Sequence, residues 1–237
     1  MIVSFTGVVY TFLTLGLMII CYRFFLYWKK AKEIVSKFLL YALIFLTIVC
    51  SFGAWGGIFF AEDPGLIRIA VILTSFFATL ANSFFAYLTF YIRFPKISPW
   101  WGFGGVFLLG MITSFLTIIV PVKPYLEVTG GINWGIPLRI GILRALLYFL
   151  GCFPLFLITF REWRRAEEQS LRVKSLLLGI LLLFGTIIPI VDFVIEPVFN
   201  LHALISEVMI LFLSAVALFL YLASVKIRPP KYVKKIT

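Results

Sequence analysis

Three charged side chains in this sequence stand where water would not solvate them. Arg144 lies in RIGILRALLYFLGCF, Asp192 in GTIIPIVDFVIEP and Glu207 in LHALISEVMILF. An ionisable group inside a membrane segment costs at least about 2.5 kcal/mol, so each one needs a partner and a reason. An arginine that shares a depth with two carboxylates has two uses. It can form a structural ion pair that fixes helix register, or it can hold the anionic group of a ligand. Tyr148, one turn beyond Arg144, and Asn82 would add hydrogen bonds, and Arg68 would stand near the mouth of the same region.

What must position these groups follows from composition. The chain has 237 residues, 62% hydrophobic and 13% charged, with a mean hydropathy of +1.10. Its apolar share is far above, and its charged share far below, that of a soluble domain. Runs of 18 or more apolar residues recur along the whole length, which marks an all-α, polytopic membrane protein. Each span must satisfy its own backbone hydrogen bonds, and a helix does so. Seven spans are expected, at Ile2–Phe25, Phe38–Phe60, Leu66–Ile92, Trp100–Val120, Leu138–Phe160, Leu176–Ile195 and Leu201–Ala223. They make one seven-helix domain over 1–225, followed by a basic tail over 226–237 that Pro229-Pro230 keeps from continuing as helix.

Charge placement orients the bundle. Arg23, Lys29, Lys30 and Lys32 follow the first span and nothing basic precedes it. Carried through seven spans, this puts 17 of the 21 lysines and arginines on one side. The positive-inside rule therefore predicts the N-terminus outside and the C-terminus in the cytoplasm, in the cell (inner) membrane. The net charge of +11 is accounted for by these loops and does not call for nucleic acid. Cys21, Cys50 and Cys152 all fall inside spans and read as free thiols that pack.

Polar and small residues mark the faces that meet protein, because lipid rewards only apolar side chains. In the third span Arg68, Ser75, Asn82 and Thr89 recur every seven residues, with Thr79 and Ala86 between them. The fifth shows Gly141, Arg144, Tyr148 and Gly151; the sixth Gly185, Pro189, Asp192 and Glu196; the seventh Glu207, Ser214 and Tyr221. At 1.5 Å per residue Arg144 lies roughly 9 Å inside its helix, Asp192 roughly 5 Å from a helix end and Glu207 roughly 9 Å in, all in the outer half. Pro189 removes a backbone donor just before Asp192, so a kink is expected there. The polar stripes thus predict an outward-facing pocket between helices three, five, six and seven.

Two loops carry further signals. Val122–Pro137 (VKPYLEVTGGINWGIP) suggests a small hairpin about Gly130-Gly131, either a lid or a surface turn. Arg161–Ser175 (REWRRAEEQSLRVKS) spaces Arg164, Glu168 and Arg172 at i,i+4, which predicts that helices five and six continue past the membrane. Trp100, Trp101 and Trp134 read as interface anchors, and His202 as a headgroup-level residue.

Enzymatic chemistry finds no support in the motifs. No nucleophile elbow, metal-binding helix, phosphate loop or dinucleotide loop occurs, and a single histidine excludes the multi-histidine metal sites. No cofactor or metal is expected.

The runs FFATLANSFFAYLTFYIRFP in helix three, GGINWGIPLRI at the start of helix five and LRVKSLLLGILLLFGTIIPIVDFVI in helix six resemble the seven-helix sensor region at the N-terminus of bacterial histidine kinases. The resemblance implies a seven-helix sensor bundle with its N-terminus outside. In that family helix seven leads into a signalling domain, whereas here only the basic tail follows, so autophosphorylation is not carried over. The implied function is a non-enzymatic, receptor-like membrane module. It takes a small ligand from outside and passes the change through helices five and six to a cytoplasmic signalling protein. A small-solute transporter and a structural subunit of a membrane complex are the alternatives. An odd span count without an inverted repeat argues against a carrier.

Overall fold

The computed structural model describes residues 3–120, 122–199, 201–203 and 205–215. Six helices are long and apolar enough to cross a membrane. They are α1 (Phe5–Ala31), α2 (Ile34–Phe59), α3 (Pro64–Arg93), α4 (Pro99–Ile119), α5 (Leu138–Arg165) and α6 (Gln169–Ile190). The sixth runs on through a π-helical turn, Val191–Ile195, into a short helix α7 (Glu196–Phe199). A shorter apolar helix, α8 (Ile205–Ala215), follows. The remainder of the expected seventh span, with Tyr221, and the tail 226–237 lie outside the described residues.

Local chemistry sets the helix ends. Ser4 caps α1 by accepting from the Gly7 N–H at 3.0 Å, and Lys29 and Lys30 in the last turn complement the helix dipole. Asp63 caps α3, its Oδ1 accepting from Gly65 N at 2.9 Å and Leu66 N at 3.1 Å, with Pro64 in the first helical position. The α1 and α2 backbones touch where Gly7 meets Gly57: a Cβ on Gly57 would lie 2.5 Å from Gly7 N.

The third helix is the hub, packed against α2, α4 and α5. Its polar stripe faces inward as expected: Ser75, Thr79, Asn82, Ala86 and Thr89 are all buried. Thr79 and Thr89 return their hydroxyls to the helix backbone, Thr79 to the Ser75 carbonyl at 2.9 Å, while the Ser75 hydroxyl meets that of Ser114 on α4 at 3.1 Å, so these polar groups are satisfied and close packing becomes cheap. Asn82 meets α5 at Gly151, where a Cβ would stand 2.3 Å from Asn82 Oδ1. Away from the hairpin, Ile20, Leu43, Phe85, Leu88, Leu155 and Leu182 form an apolar cluster that joins α1, α2, α3, α5 and α6.

The hairpin exists. β1 (Tyr125–Leu126) pairs antiparallel with β2 (Ile132–Asn133), Tyr125 opposite Asn133 and Leu126 opposite Ile132. Gly130, at φ +83°, occupies the left-handed region that the turn needs. Ile132, Leu126 and Trp134 pack on Ala61, Ile67 and Val71, so the hairpin is docked on the α2–α3 turn and is not a passive surface loop.

The backbone refines one expectation at the end of α6. The proline-induced kink takes the form of a π turn. Pro189 offers no N–H to the helix, and Pro197 offers none to the Phe193 carbonyl four residues earlier. The chain slips to wider bonds, with Glu196 N–H donating to the Val191 carbonyl. Between α5 and α6 both helices run past the expected span ends at Phe160 and Leu176. Helix α5 ends at Arg165 and α6 starts at Gln169, with Glu168 as its N-cap residue. Arg164 and Glu168 therefore share no helix. Neighbouring antiparallel helices require a reversal, and the chain makes it at Ala166–Glu168 without Gly or Pro. The arginines stack instead: Arg164 over Phe160 at 5.3 Å and Arg172 over Trp163 at 5.8 Å.

Candidate functional site

A cavity of about 60 Å³ lies near the hairpin end of the bundle. Arg144, Leu147 and Tyr148 from α5 line it, with Val71, Thr74, Ser75 and Ala78 from α3, Asp192 and Phe193 from the π turn, and Tyr10, Val49, Gly53 and Trp134. Each wall has a local cause. Arg144 and Tyr148 are four residues apart and share one helix face. The π turn presses onto α5 because Gly141 has no Cβ, which would stand 2.3 Å from the Phe193 carbonyl oxygen. Gly53 likewise makes room for Tyr10, whose ring lies 2.7 Å from where a Cβ would be. Trp134 stands edge-on to Tyr10, with ring centroids 6.1 Å apart.

Arg144 is buried. Its Nη2 donates to Thr117 Oγ1 at 3.2 Å and to the Val71 carbonyl at 3.4 Å, and its guanidinium lies 5.4 Å from the Phe193 ring centre. Its Nε has no hydrogen-bond partner among the described residues. The expected direct pair with Asp192 or Glu207 is not formed. Among the described residues the one acid–base contact within 4.0 Å joins Glu127 and His202. Asp192 lines the same cavity as Arg144 but lies beyond ion-pair distance of the guanidinium, whose Nη2 donates toward α3 and α4.

The other candidates are dispersed. Arg68 lies outside the cavity and donates to the Ile118 carbonyl at 3.0 Å, satisfying a last-turn carbonyl of α4. Asn82 lies deeper, with Nδ2 donating to the Ala78 carbonyl at 2.8 Å and Oδ1 accepting from Cys152 Sγ at 3.5 Å. Glu207 sits beneath the hairpin, where it accepts from the Thr6 hydroxyl and lies against Gly131. Thr6 in turn accepts from Ile132 N at 2.7 Å. Of the residues marked in the sequence, Arg144, Tyr148 and Asp192 come together, and Asn82, Arg68 and Glu207 do not join them. Tyr10 and Trp134 are cavity residues that the sequence reading did not assign there. A tyrosine inside the first span and a tryptophan beside the hairpin were the available signals.

A second cavity of about 30 Å³ adjoins the first, sharing Asp192, Phe193 and Trp134 and adding Asn133, Glu196 and Ala203. The hairpin covers this region and is tied down on two sides. Phe5 N donates to the Gly130 carbonyl at 2.8 Å. On the other side Glu127 accepts from Asn133 Nδ2 at 3.2 Å and Ala203 N at 3.3 Å, and faces His202 Nδ1 at 3.3 Å. His202 is 73% exposed and Glu127 only 7%. The two partners should therefore differ in weight. His202→Ala is expected to cost about 0–1 kcal/mol, as exposed pairs do. Glu127→Ala leaves two part-buried donors, Asn133 Nδ2 and Ala203 N, without this acceptor and is expected to cost about 1–3 kcal/mol. Melting temperatures of the two variants check the order.

Among the described residues no three His, Cys, Asp or Glu side chains converge as a metal site requires. Cys21, Cys50 and Cys152 are free thiols.

The chain matches no family model, no curated protein and no solved structure.

Proposed function

We propose that this chain is a non-enzymatic sensor of the cell (inner) membrane, a bundle of seven spans with the N-terminus outside. In this reading it takes a small solute from outside into the cavity beneath the hairpin, and α5 and α6 carry the change to a cytoplasmic signalling protein. The observation that carries the reading is a largely apolar cavity with a few charged and polar groups in its wall, above an apolar floor. Arg144, Tyr148 and Asp192 line the cavity near the hairpin, while the Ile20–Leu43–Phe85–Leu155–Leu182 cluster fills the bundle about ten residues further along each helix. A transporter would need a polar path through that cluster. The basic asymmetry supports the orientation, which puts the hairpin outside.

One labelling experiment tests topology and access together. Val128→Cys on the hairpin turn should react with a charged, membrane-impermeant thiol reagent on intact cells. Glu167→Cys, at the α5–α6 reversal, should react only after permeabilisation. Thr74→Cys, on the cavity wall, should react from the Val128 side alone. Labelling of Thr74→Cys from both sides supports a transporter, and no labelling from either side supports a closed structural subunit. The reverse pattern at Val128 and Glu167 overturns the orientation.

A further inference from the structure

The ligand of the cavity can be narrowed by the charges that line it. The inference rests on the proposed function, since it concerns the same site. Arg144 and Asp192 are opposite charges that share one cavity without touching. Arg144 is buried and keeps Nε without a partner, so its donor capacity is not exhausted by Thr117 and Val71. Asp192 accepts no hydrogen bond from any described residue, although Tyr10 and Tyr148 line the same space. A buried charge with open valence calls for a counter-charge. One cavity offering both signs is complementary to a molecule that carries both.

We propose that the cavity binds a small zwitterion, its carboxylate toward Arg144 and its ammonium toward Asp192. The Tyr10 and Trp134 rings beside Asp192 suit a cation, because aromatic faces attract positive charge. Size sets the class. One water needs about 10–15 Å³ of such space, so 60 Å³ holds roughly four to six non-hydrogen atoms. Glycine fits that limit. A phosphorylethanolamine headgroup, with roughly eight, does not, so a free amino acid is favoured over a lipid headgroup. Neither a simple anion nor a simple amine satisfies both walls, and each leaves one of the two cavity charges uncompensated.

The test uses the full chain in detergent, with melting followed by tryptophan fluorescence and affinity by calorimetry. The probes are glycine, acetate, methylamine and phosphorylethanolamine. Glycine should raise the melting temperature and bind at least about tenfold more tightly than acetate or methylamine, since each charged hydrogen-bonding contact is worth about a decade in affinity. Asp192→Asn keeps the shape and should weaken glycine about tenfold while leaving acetate unchanged. Tyr148→Phe serves as a second variant if Asp192→Asn fails to fold, and should weaken glycine without creating an acetate preference. Acetate binding as well as glycine, in wild type and Asp192→Asn alike, overturns the zwitterion and leaves an anion sensor standing. Phosphorylethanolamine binding more tightly than glycine overturns the free amino acid in favour of a headgroup. Failure of all four probes overturns both this inference and the ligand site on which it rests.

Discussion

Arg144→Ala is expected to destabilise the protein by about 1–3 kcal/mol, the cost of leaving the partners of a buried charged donor unsatisfied. The guanidinium is buried against Val71, Thr117 and Phe193, and Asp192 stands in the same cavity. Truncation to alanine empties the space over Phe193, orphans the Thr117 hydroxyl as an acceptor and leaves the Asp192 carboxylate without an opposite charge in its cavity. The last term is the largest, because nothing else of positive sign lines that space. Combining Arg144→Met with Asp192→Asn should recover a substantial part of the loss, since it removes both charges and keeps most of the volume. Leu146→Ala, on an exposed face of the same helix, is the control and should cost far less. Equal melting temperatures for Arg144→Ala and Leu146→Ala would overturn the expectation. Full additivity in the double variant would show that the two charges do not feel each other across the cavity.

Gly57→Leu should be at least as damaging, for a reason that has nothing to do with charge. A Cβ at Gly57 would lie 2.5 Å from Gly7 Cα and N and 2.7 Å from Ser4 Oγ. Those are two helix backbones and a cap, which cannot yield as a flexible side chain can. Forcing α1 from α2 costs about 1–3 kcal/mol as overpacking. Ser4 donates from its Oγ to the Gly57 carbonyl at 2.8 Å while capping α1, and losing that cap adds about 1 kcal/mol. The consequence reaches the cavity, because Tyr10 lies one turn from Gly7 and packs against Gly53. Gly16→Leu is the matched control, since nothing stands within 4 Å of its missing Cβ. Gly57→Leu should melt well below Gly16→Leu and lose the response to glycine; melting together would show that the α1–α2 approach is not needed.

Much of the candidate site could be read from residue spacing, and its membership could not. The period-seven stripe of α3 identified its buried face residue by residue, because in a bundle only protein neighbours tolerate polar side chains. The four-residue step from Arg144 to Tyr148 placed both on one face of α5 for the same reason. What spacing does not contain is the rotation of one helix against another. Glu207 was matched to Arg144 in depth, but its carboxylate is taken up by Thr6 and the hairpin's Gly131 instead. Arg68 belonged to the right stripe and was diverted to a carbonyl of α4.

The sequence by itself determined a set of long membrane-capable helices, the hairpin at Gly130 and the presence of unsolvated charges, since apolar length, turn chemistry and desolvation are local properties of the chain. Tertiary structure decided which charges share a cavity. Glycines at 57, 141 and 151 set how near the helices come, two prolines turned the end of α6 into a π turn that carries Asp192 toward α5, and Trp134 came in from a loop more than a hundred residues after Tyr10. Those outcomes depend on contacts between segments far apart in sequence, where side-chain volume and orientation, and not local pattern, select the partner.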